Sequence, residues 1–228
     1  RFKYISLKSS NDKLHADYYQ KCIDFLKNNE EYVLCYTEGT NTKDFGGLIS
    51  YDDDDVYSRL RNAILNPNSG NMIYGVYRSD VIDKTLLFDN IMGNDHIFAF
   101  NLVMFGKTKK IDEVLYYREQ PLNRTDIQYK KSCQSSIKSV IDLDSPFCKR
   151  MEMILGYLDV CNNGFLNELD RDRIADIVVD SMFETHRRTL KMEYFSLKKW
   201  LDKNKKVCPI DYFELKVFFK RARFYMII

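Results

Sequence analysis

Residues 93–106 read Gly-Asn-Asp-His-Ile-Phe-Ala-Phe-Asn-Leu-Val-Met-Phe-Gly, and this stretch says most about the fold. Nearly every position of residues 97–105 is apolar, which predicts a helix buried on most of its sides. The final glycine is a typical helix stop. Asn94 is suited to capping the first turn, and Asp95 would lie in that turn, where unsatisfied backbone amides favour a carboxylate. With His96, an acid and an imidazole begin an apolar helix.

Two interpretations of Asp95 follow from this position. Helix capping is the ordinary role of a polar residue at a helix start, and spacing alone favours it. A rigid helix end is also a common place for a catalytic base. Spacing therefore favours capping, and the catalytic base is the alternative.

Helices and strands alternate on both sides of this stretch. Helical spacing runs from Asp17 to Leu26, and β-type or alternating patterns mark the predicted strands. A glycine inside the second predicted strand indicates a close approach of two backbones. The predicted elements are a helix over 17–26, a strand over 32–36, a helix over 56–65, a strand over 72–77 that contains Gly75, and a strand over 111–117.

Residues 37–55 are rich in glycine and aspartate, which predicts an exposed loop. Four consecutive aspartates, residues 52–55, repel one another, and a solvated loop explains them better than a cation site does. A second polar group, Asn11, Asp12 and His15, precedes the first helix. Its oxygens are suited to a metal or a phosphate, although a turn that opens the helix explains them better when they are taken singly.

The pattern changes after about residue 125, where only helical spacing is found. Residues 126–228 are therefore predicted to be an α-helical region, with helices over 151–158, 174–185 and 211–228. The last helix carries a basic stripe beside Phe and Tyr residues, which suits an anionic membrane surface. A helix docked on its own domain has the same pattern, and both interpretations stand.

Composition excludes several classes of protein. The 228 residues are 45% hydrophobic and 30% charged with 9 Gly and 4 Pro, which excludes collagen-like and disordered chains. A net charge of +2 gives no support for nucleic-acid binding. The sequence contains no run of about 20 apolar residues, so no membrane-spanning helix is predicted. The first residues also lack the apolar core of a signal peptide.

The six cysteines contain no C-x-x-C pair, which argues against a zinc framework or a small disulfide scaffold. We expect reduced thiols and a cytoplasmic location. Peripheral contact between residues 211–228 and the inner membrane face is a further expectation. The sequence does not predict an oligomeric state.

Six short segments occur in a characteristic order through about residue 125. They are Phe2-Lys3-Tyr4, Asn11-Asp12 ahead of Ala16-Asp17-Tyr18-Tyr19, Val33-Leu34-Cys35-Tyr36, Tyr74-Gly75-Val76-Tyr77-Arg78, Gly93-Asn94-Asp95-His96, and Ile111-Asp112-Glu113-Val114-Leu115-Tyr116-Tyr117-Arg118 after Phe105-Gly106. Together they resemble the second half of the catalytic domain of family 2 glycosyltransferases, which have the GT-A fold. The resemblance implies an α/β, GT-A-like portion over residues 1–125, followed by the helical extension over 126–228.

The resemblance also implies an activity: inverting transfer of a sugar from a nucleotide-sugar donor to a glycan or lipid-linked acceptor. Asp95 corresponds to the carboxylate that deprotonates the acceptor hydroxyl. Asn11 and Asp12 correspond to the donor- and metal-binding acids, with Asp12 as the contact to Mn²⁺ or Mg²⁺. The resemblance further implies an acceptor or phosphate side, formed by Gly75, Arg78, Gly93, Asn94, His96, Arg118 and Gln120.

The chain departs from the family pattern in three ways. Asn11 stands where the family has its first acid, and Gln120 stands where many members have a histidine. The opening strand and its nucleotide-binding half do not occur in the sequence, so we expect either a segment of a longer enzyme or a degenerate relative. A non-catalytic binding or assembly module, whose helical C-terminus docks a membrane surface or a protein, is the alternative to the enzyme.

Overall fold

The computed structural model describes residues 2–10, 12–40, 47–85, 93–118, 149–162 and 168–204. These residues form a mixed α/β structure with a five-stranded sheet and C-terminal helices, which confirms the predicted α/β class. The chain divides into two compact units. The first comprises Arg1–Asp89 and Asp95–Asn123, and the second comprises Asn90–Asn94 and Arg124–Ile228.

The first unit is built on the sheet, whose strand order is β1-β4-β3-β5-β2. The strands β3 and β5 at its centre run parallel, and the other neighbours pair antiparallel. The strands are β1 (Tyr4–Ser6), β2 (Lys13–Leu14), β3 (Tyr32–Gly39), β4 (Val76–Arg78) and β5 (Lys107–Tyr117). Because β3 and β5 are parallel, Gly39 and Tyr116 lie together at the carboxyl edge of the sheet.

Helix α1 (Tyr18–Asn28) packs one stripe of side chains on this sheet. Tyr18, Cys22 and Leu26, four residues apart, are its buried positions, as helical spacing requires. They form a core cluster with residues of three strands: Cys35, Val76, Leu115 and Tyr116. The predicted helix over 17–26 is therefore confirmed, two residues longer than its apolar stripe.

Helix α2 (Val56–Leu65) was also predicted correctly, and the aspartates before it have a local role. The side chain of Asp55 accepts hydrogen bonds from the backbone N–H groups of Tyr57 and Ser58, at 3.3 and 3.1 Å. Asp55 is thus the N-cap of α2. Residues 52–55 are exposed, as predicted for a solvated loop.

The predicted strand over 72–77 is wrong in its first half. Ser69–Tyr74 form a 3-10 helix, and β4 begins only at Val76. The N–H of Gly75 donates to the carbonyl of Met72 at 3.0 Å, an i to i+3 bond. This segment is called the 69–74 turn below.

Two strand boundaries also differ from the prediction. Strand β3 continues past Tyr36 to Gly39, into the segment predicted to be a loop, because residues 37–39 pair with β5. Strand β5 begins at Lys107, four residues early. The first residues of β5 are polar, and Thr108 among them pairs with Tyr51. The N–H of Tyr51 donates to the Thr108 carbonyl at 3.1 Å, and the N–H of Thr108 donates to the Tyr51 carbonyl at 2.9 Å.

Helix α3 (Ser79–Ile82) is a single turn after β4, and helix α4 (Asn94–Phe105) is the predicted apolar helix. Seven of its residues, 97–103, are buried, which confirms a helix buried on most sides. The helix already includes Asn94, so Gly93, with φ +77°, occupies the capping position that was predicted for Asn94.

The described part of the second unit is helical, as predicted. It contains α5 (Lys149–Asn162) and α6 (Glu168–Asn204), and α6 departs from helical geometry at His186 (φ −128°, ψ 17°). Glu193 of α6 accepts hydrogen bonds from the backbone N–H groups of Arg150 and Met151 at 3.0 and 2.9 Å, and so caps the start of α5. Burial raises the pKa of Glu193, and these two hydrogen bonds oppose that rise.

Several predictions fall outside the described residues. They concern Asn11, Gln120 and the basic helix over 211–228. Among the helices that the structure describes, none combines the length and the apolar character needed to cross a bilayer.

Gly75 makes the close backbone approach that its position inside a predicted strand indicated. A Cβ atom there would lie 2.7 Å from the main-chain oxygen of Cys35 and 2.4 Å from Cδ1 of Leu34. The Leu34 side chain can rotate, but the Cys35 backbone belongs to β3 and cannot move without breaking the sheet. We expect Gly75→Ala to lower the free energy of unfolding by about 1–3 kcal/mol. Urea denaturation measures this, with the exposed Asp80→Ala of α3 as control; equal stability of the two variants would refute the packing argument.

Candidate functional site

A cleft opens at the carboxyl edge of the sheet, where the parallel strands β3 and β5 end. It contains about 320 Å³ of empty space, part of it open to solvent. In open α/β sheets, ligands bind in crevices outside the carboxyl ends of the strands. Three elements contribute most of the lining: the ends of β3 and β5 and the 69–74 turn. The lining residues are Tyr18, Tyr36, Thr37, Gly39, Thr40, Leu48, Asn71, Tyr74, Tyr116 and Arg118.

Arg118 is the cation of this cleft and is held at both its backbone and its side chain. Its N–H donates to Oγ1 of Thr40 at 2.8 Å, directly after β3. Its guanidinium donates to Oδ1 of Asn71 at 2.6 Å and lies 6.0 Å from the ring centroid of Tyr74. Among the described residues it forms no ion pair with a carboxylate. A fixed guanidinium in a cleft is suited to an anionic ligand, because its planar fork matches phosphate and carboxylate oxygens.

Three tyrosines form an aromatic wall beside Arg118. The rings of Tyr74 and Tyr116 are stacked, 5.5 Å apart with an interplanar angle of 27°. The hydroxyl of Tyr18 donates to the main-chain carbonyl of Tyr74 at 2.6 Å, which ties α1 to the 69–74 turn. The hydroxyl of Tyr116 donates to Oδ2 of Asp12, which is only 5% exposed. Asp12 is therefore connected to the cleft by its hydrogen bond with Tyr116, which is one of the lining residues.

Asp95 and His96, at the start of α4, also contact the 69–74 turn, although neither is among the residues that line the cleft. Ser69 Oγ and His96 Nδ1 are 3.0 Å apart, within hydrogen-bond distance. A Cβ on Gly70 would lie 2.7 Å from Oδ2 of Asp95, so only glycine allows the turn to approach this carboxylate so closely. Oδ1 of Asp95 accepts the N–H of His96 at 3.0 Å. The carboxylate is half-buried, so it is neither hidden in the core nor fully in solvent.

The phenol of Tyr74 shows that these charged groups share one electrostatic environment. Burial raises the pKa of Tyr74; the positive charge of Arg118 opposes the rise, and the carboxylates of Asp95 and Asp12 add to it. The charges of Asp12, Asp95 and Arg118 thus all act on this phenol.

The structure separates the predicted site residues into two groups. Asp12, Asp95, His96 and Arg118 lie around the 69–74 turn and the cleft. The other described residues of the predicted site make their contacts elsewhere in the structure; they are Gly75, Arg78, Gly93 and Asn94. Asn11 and Gln120 lie outside the described residues, so their predicted roles remain predictions.

Arg78 lies at the opposite edge of the sheet from the cleft. Its Nε donates to the carbonyl of Tyr32 at 2.7 Å, and its Nη2 donates to that of Asn29 at 2.9 Å and to that of Leu26. Tyr32 begins β3, whereas the cleft lies where β3 ends. Here the guanidinium donates to carbonyls at the C-terminal end of α1, where intrahelical donors run out.

The remaining predicted glycines and Asn94 also have local roles. Gly75 faces β3, as described above. Gly93 is buried at the start of α4, and a Cβ there would lie 2.8 Å from Cγ of Met153. Asn94 is the half-buried first residue of α4.

The 69–74 turn contains the site residues that sequence analysis missed. Ser69, Gly70 and Asn71, three consecutive residues, contact His96, Asp95 and Arg118 respectively. The segment Asn66-Pro67-Asn68-Ser69-Gly70 has a composition that commonly ends a helix, which on its own does not indicate a site. Its density of Asn, Ser and Gly was the available signal, because such residues form turns that present polar side chains.

Asp12 fits a divalent metal poorly. Mg²⁺ keeps several of its waters when a protein binds it, but this carboxyl group is buried and already accepts the Tyr116 hydroxyl. The described residues include no group of three or more His, Cys, Asp or Glu side chains placed to hold a metal. The metal contact predicted for Asp12 remains a prediction, and the proposed reaction contains no step that uses a metal.

Comparison of the chain with known protein families, with curated proteins and with solved structures found no match.

Proposed function

We propose that the protein is an inverting glycosyltransferase of GT-A type, which moves a sugar from a nucleotide-sugar donor to an acceptor hydroxyl at this cleft. The proposal rests on the motif order described above and on one observation in the structure. A carboxylate and a guanidinium from distant parts of the chain contact the same 69–74 turn, beside a cleft at the carboxyl ends of two parallel strands.

The proposed chemistry needs one base and one cation. Asp95 removes the proton of the acceptor hydroxyl as its oxygen attacks the anomeric carbon. The bond from that carbon to the diphosphate oxygen breaks, and the nucleoside diphosphate leaves with the electron pair. A single displacement of this kind inverts the anomeric configuration. Arg118 stabilises the negative charge on the departing phosphate, as fixed cations do in phosphoryl and glycosyl leaving-group chemistry.

The geometry of Asp95 supports the role of base. One carboxylate oxygen is held by the His96 N–H, and the other lies against Gly70, so the side chain has a fixed orientation. General bases act best on rigid elements, and α4 is anchored by seven buried residues. Capping alone would not explain why the adjoining turn has a glycine that leaves room for this carboxylate.

The alternative proposal, a non-catalytic binding or assembly module, makes the opposite prediction for the cleft. Its docking helix over 211–228 lies outside the described residues, so the cleft is where the two proposals can be compared. A module has no need to bind nucleotide sugars there.

The test is a panel of UDP-, GDP- and dTDP-sugars, examined by thermal unfolding and by hydrolysis or transfer. A donor at a hundred times its Kd stabilises the native state by about 2.7 kcal/mol. For a chain of this size that is a rise in Tm of about 5–10 °C. We expect at least one nucleotide sugar to give such a rise and to be turned over, while the matching sugar 1-phosphates give none. A panel without binding or turnover would favour the module.

A further inference from the structure

We infer that Asp12 is a positioning residue of the cleft, which fixes the Tyr116–Tyr74 ring pair, and that it is not a metal ligand. This inference rests on the proposed function, because the expectation of a metal at Asp12 comes from the same resemblance. It concerns how the donor side of the cleft is built.

The first step is the hydrogen bond between Asp12 and Tyr116. The residues are 104 positions apart, and both are nearly buried, at 5% and 6% exposure. The Tyr116 hydroxyl donates to Oδ2 of the carboxylate, so one of the two oxygens that could bind a metal already has a partner. Strands β2 and β5 pair just beyond this bond, with Leu14 opposite Tyr116, which fixes the approach of the two segments.

The second step is the connection from Tyr116 to the ligand-facing side chains. Tyr116 stacks on Tyr74, and Tyr74 lies under the guanidinium of Arg118. The carbonyl of Tyr116 also accepts the N–H of Thr40 at 2.9 Å, and Thr40 in turn accepts the N–H of Arg118. Loss of the Asp12 bond would therefore free a ring that supports both the aromatic wall and the cation.

The third step is that the bond needs an acceptor rather than a charge. The side-chain carbonyl of asparagine accepts a hydroxyl proton as a carboxylate does, although more weakly. Asp12→Asn should therefore preserve the ring pair. A metal ligand behaves differently, because a neutral amide loses most of the affinity of a carboxylate for Mn²⁺ or Mg²⁺.

The experiment uses ¹³C-tyrosine-labelled protein, observed by NMR with and without Mn²⁺. The Tyr74 and Tyr116 ring signals are identified from Tyr74→Phe and Tyr116→Phe. We expect Asp12→Ala and Tyr116→Phe to shift the Tyr74 signal alike, the double variant to shift it no further, and Asp12→Asn to retain the parent position. The matched control is Tyr77→Phe, because the buried Tyr77 hydroxyl has no hydrogen-bond partner among the described residues.

Addition of Mn²⁺ tests the competing interpretation, that Asp12 binds a metal. Mn²⁺ broadens the signals of nuclei close to its binding site. We expect equimolar Mn²⁺ to leave the Tyr116 signal sharp. Broadening that disappears in Asp12→Asn would identify a metal ligand and overturn the inference, as would an unchanged Tyr74 signal in Tyr116→Phe. If Asp12→Ala fails to fold, Tyr116→Phe and Asp12→Asn carry the test alone. The readout uses no donor, so an absence of glycosyl transfer leaves it unaffected.

Discussion

The Asp95→Asn variant should fold like the parent chain and lose transfer activity by a factor of about 10²–10⁴, the usual contribution of a positioned general base. An amide has nearly the shape of a carboxylate, and its oxygen can still accept the His96 N–H at the position of Oδ1. The amide cannot take a proton from the acceptor hydroxyl. The loss should therefore appear in kcat, with little change in KM for the donor, because the donor binds to other groups.

Asp80→Asn is the matched control for this variant. Asp80 is the second residue of α3, as Asp95 is the second residue of α4, and its side chain is exposed. If Asp95 acts only through the start of its helix, both substitutions should have the same small effect on stability and none on kcat. A kcat for Asp95→Asn close to that of the parent would remove the base from the mechanism.

Replacement of Arg118 has the second largest expected effect. We expect Arg118→Ala to raise the Kd for the nucleotide-sugar donor by about 10–100-fold, because hydrogen bonds to charged groups contribute about 1.5–3 kcal/mol each. Arg118→Lys should recover only part of the affinity, since a lysine keeps the charge but not the planar fork that reaches Asn71. Isothermal titration calorimetry with the donor measures both variants.

Arg187→Ala is the control for charge alone, because Arg187 is exposed on α6, in the second unit. It changes the net charge by the same amount as Arg118→Ala and should leave the Kd unchanged. An equal loss of affinity in the two variants would mean that the guanidinium of Arg118 acts only through long-range attraction. A parent-like Kd in Arg118→Ala would place the donor outside this cleft.

The sequence was most informative where local pattern and burial agree. Helix α4 follows from nine nearly continuous apolar residues, since a helix of that composition has to be buried on most sides. Helix α1 follows from the four-residue spacing of Tyr18, Cys22 and Leu26. The roles expected of Asp12, Asp95 and Arg118 came from the resemblance, and local pattern marked Asp12 and Asp95 only as polar residues at helix starts.

The sequence was least informative where contacts between distant segments decide the structure. The alternation over 72–77 is typical of a strand, but residues 69–74 form a 3-10 helix, after which the N–H of Gly75 donates to the carbonyl of Met72. The bond between Asp12 and Tyr116 joins residues 104 positions apart, and no spacing within either segment indicates it. The role of Arg78 was missed for the same reason, because the carbonyls that it satisfies belong to the end of α1 and the start of β3.

Proton NMR of the transfer reaction tests the central claim most directly, with the parent protein and Asp95→Asn followed side by side on the donor identified by the panel. The anomeric proton of the product reports the stereochemistry. We predict that the parent converts an α-linked donor into a β-linked product, or the reverse, and that Asp95→Asn forms almost none. A product with the anomeric configuration of the donor, or equal product from both proteins, would contradict a single displacement driven by Asp95.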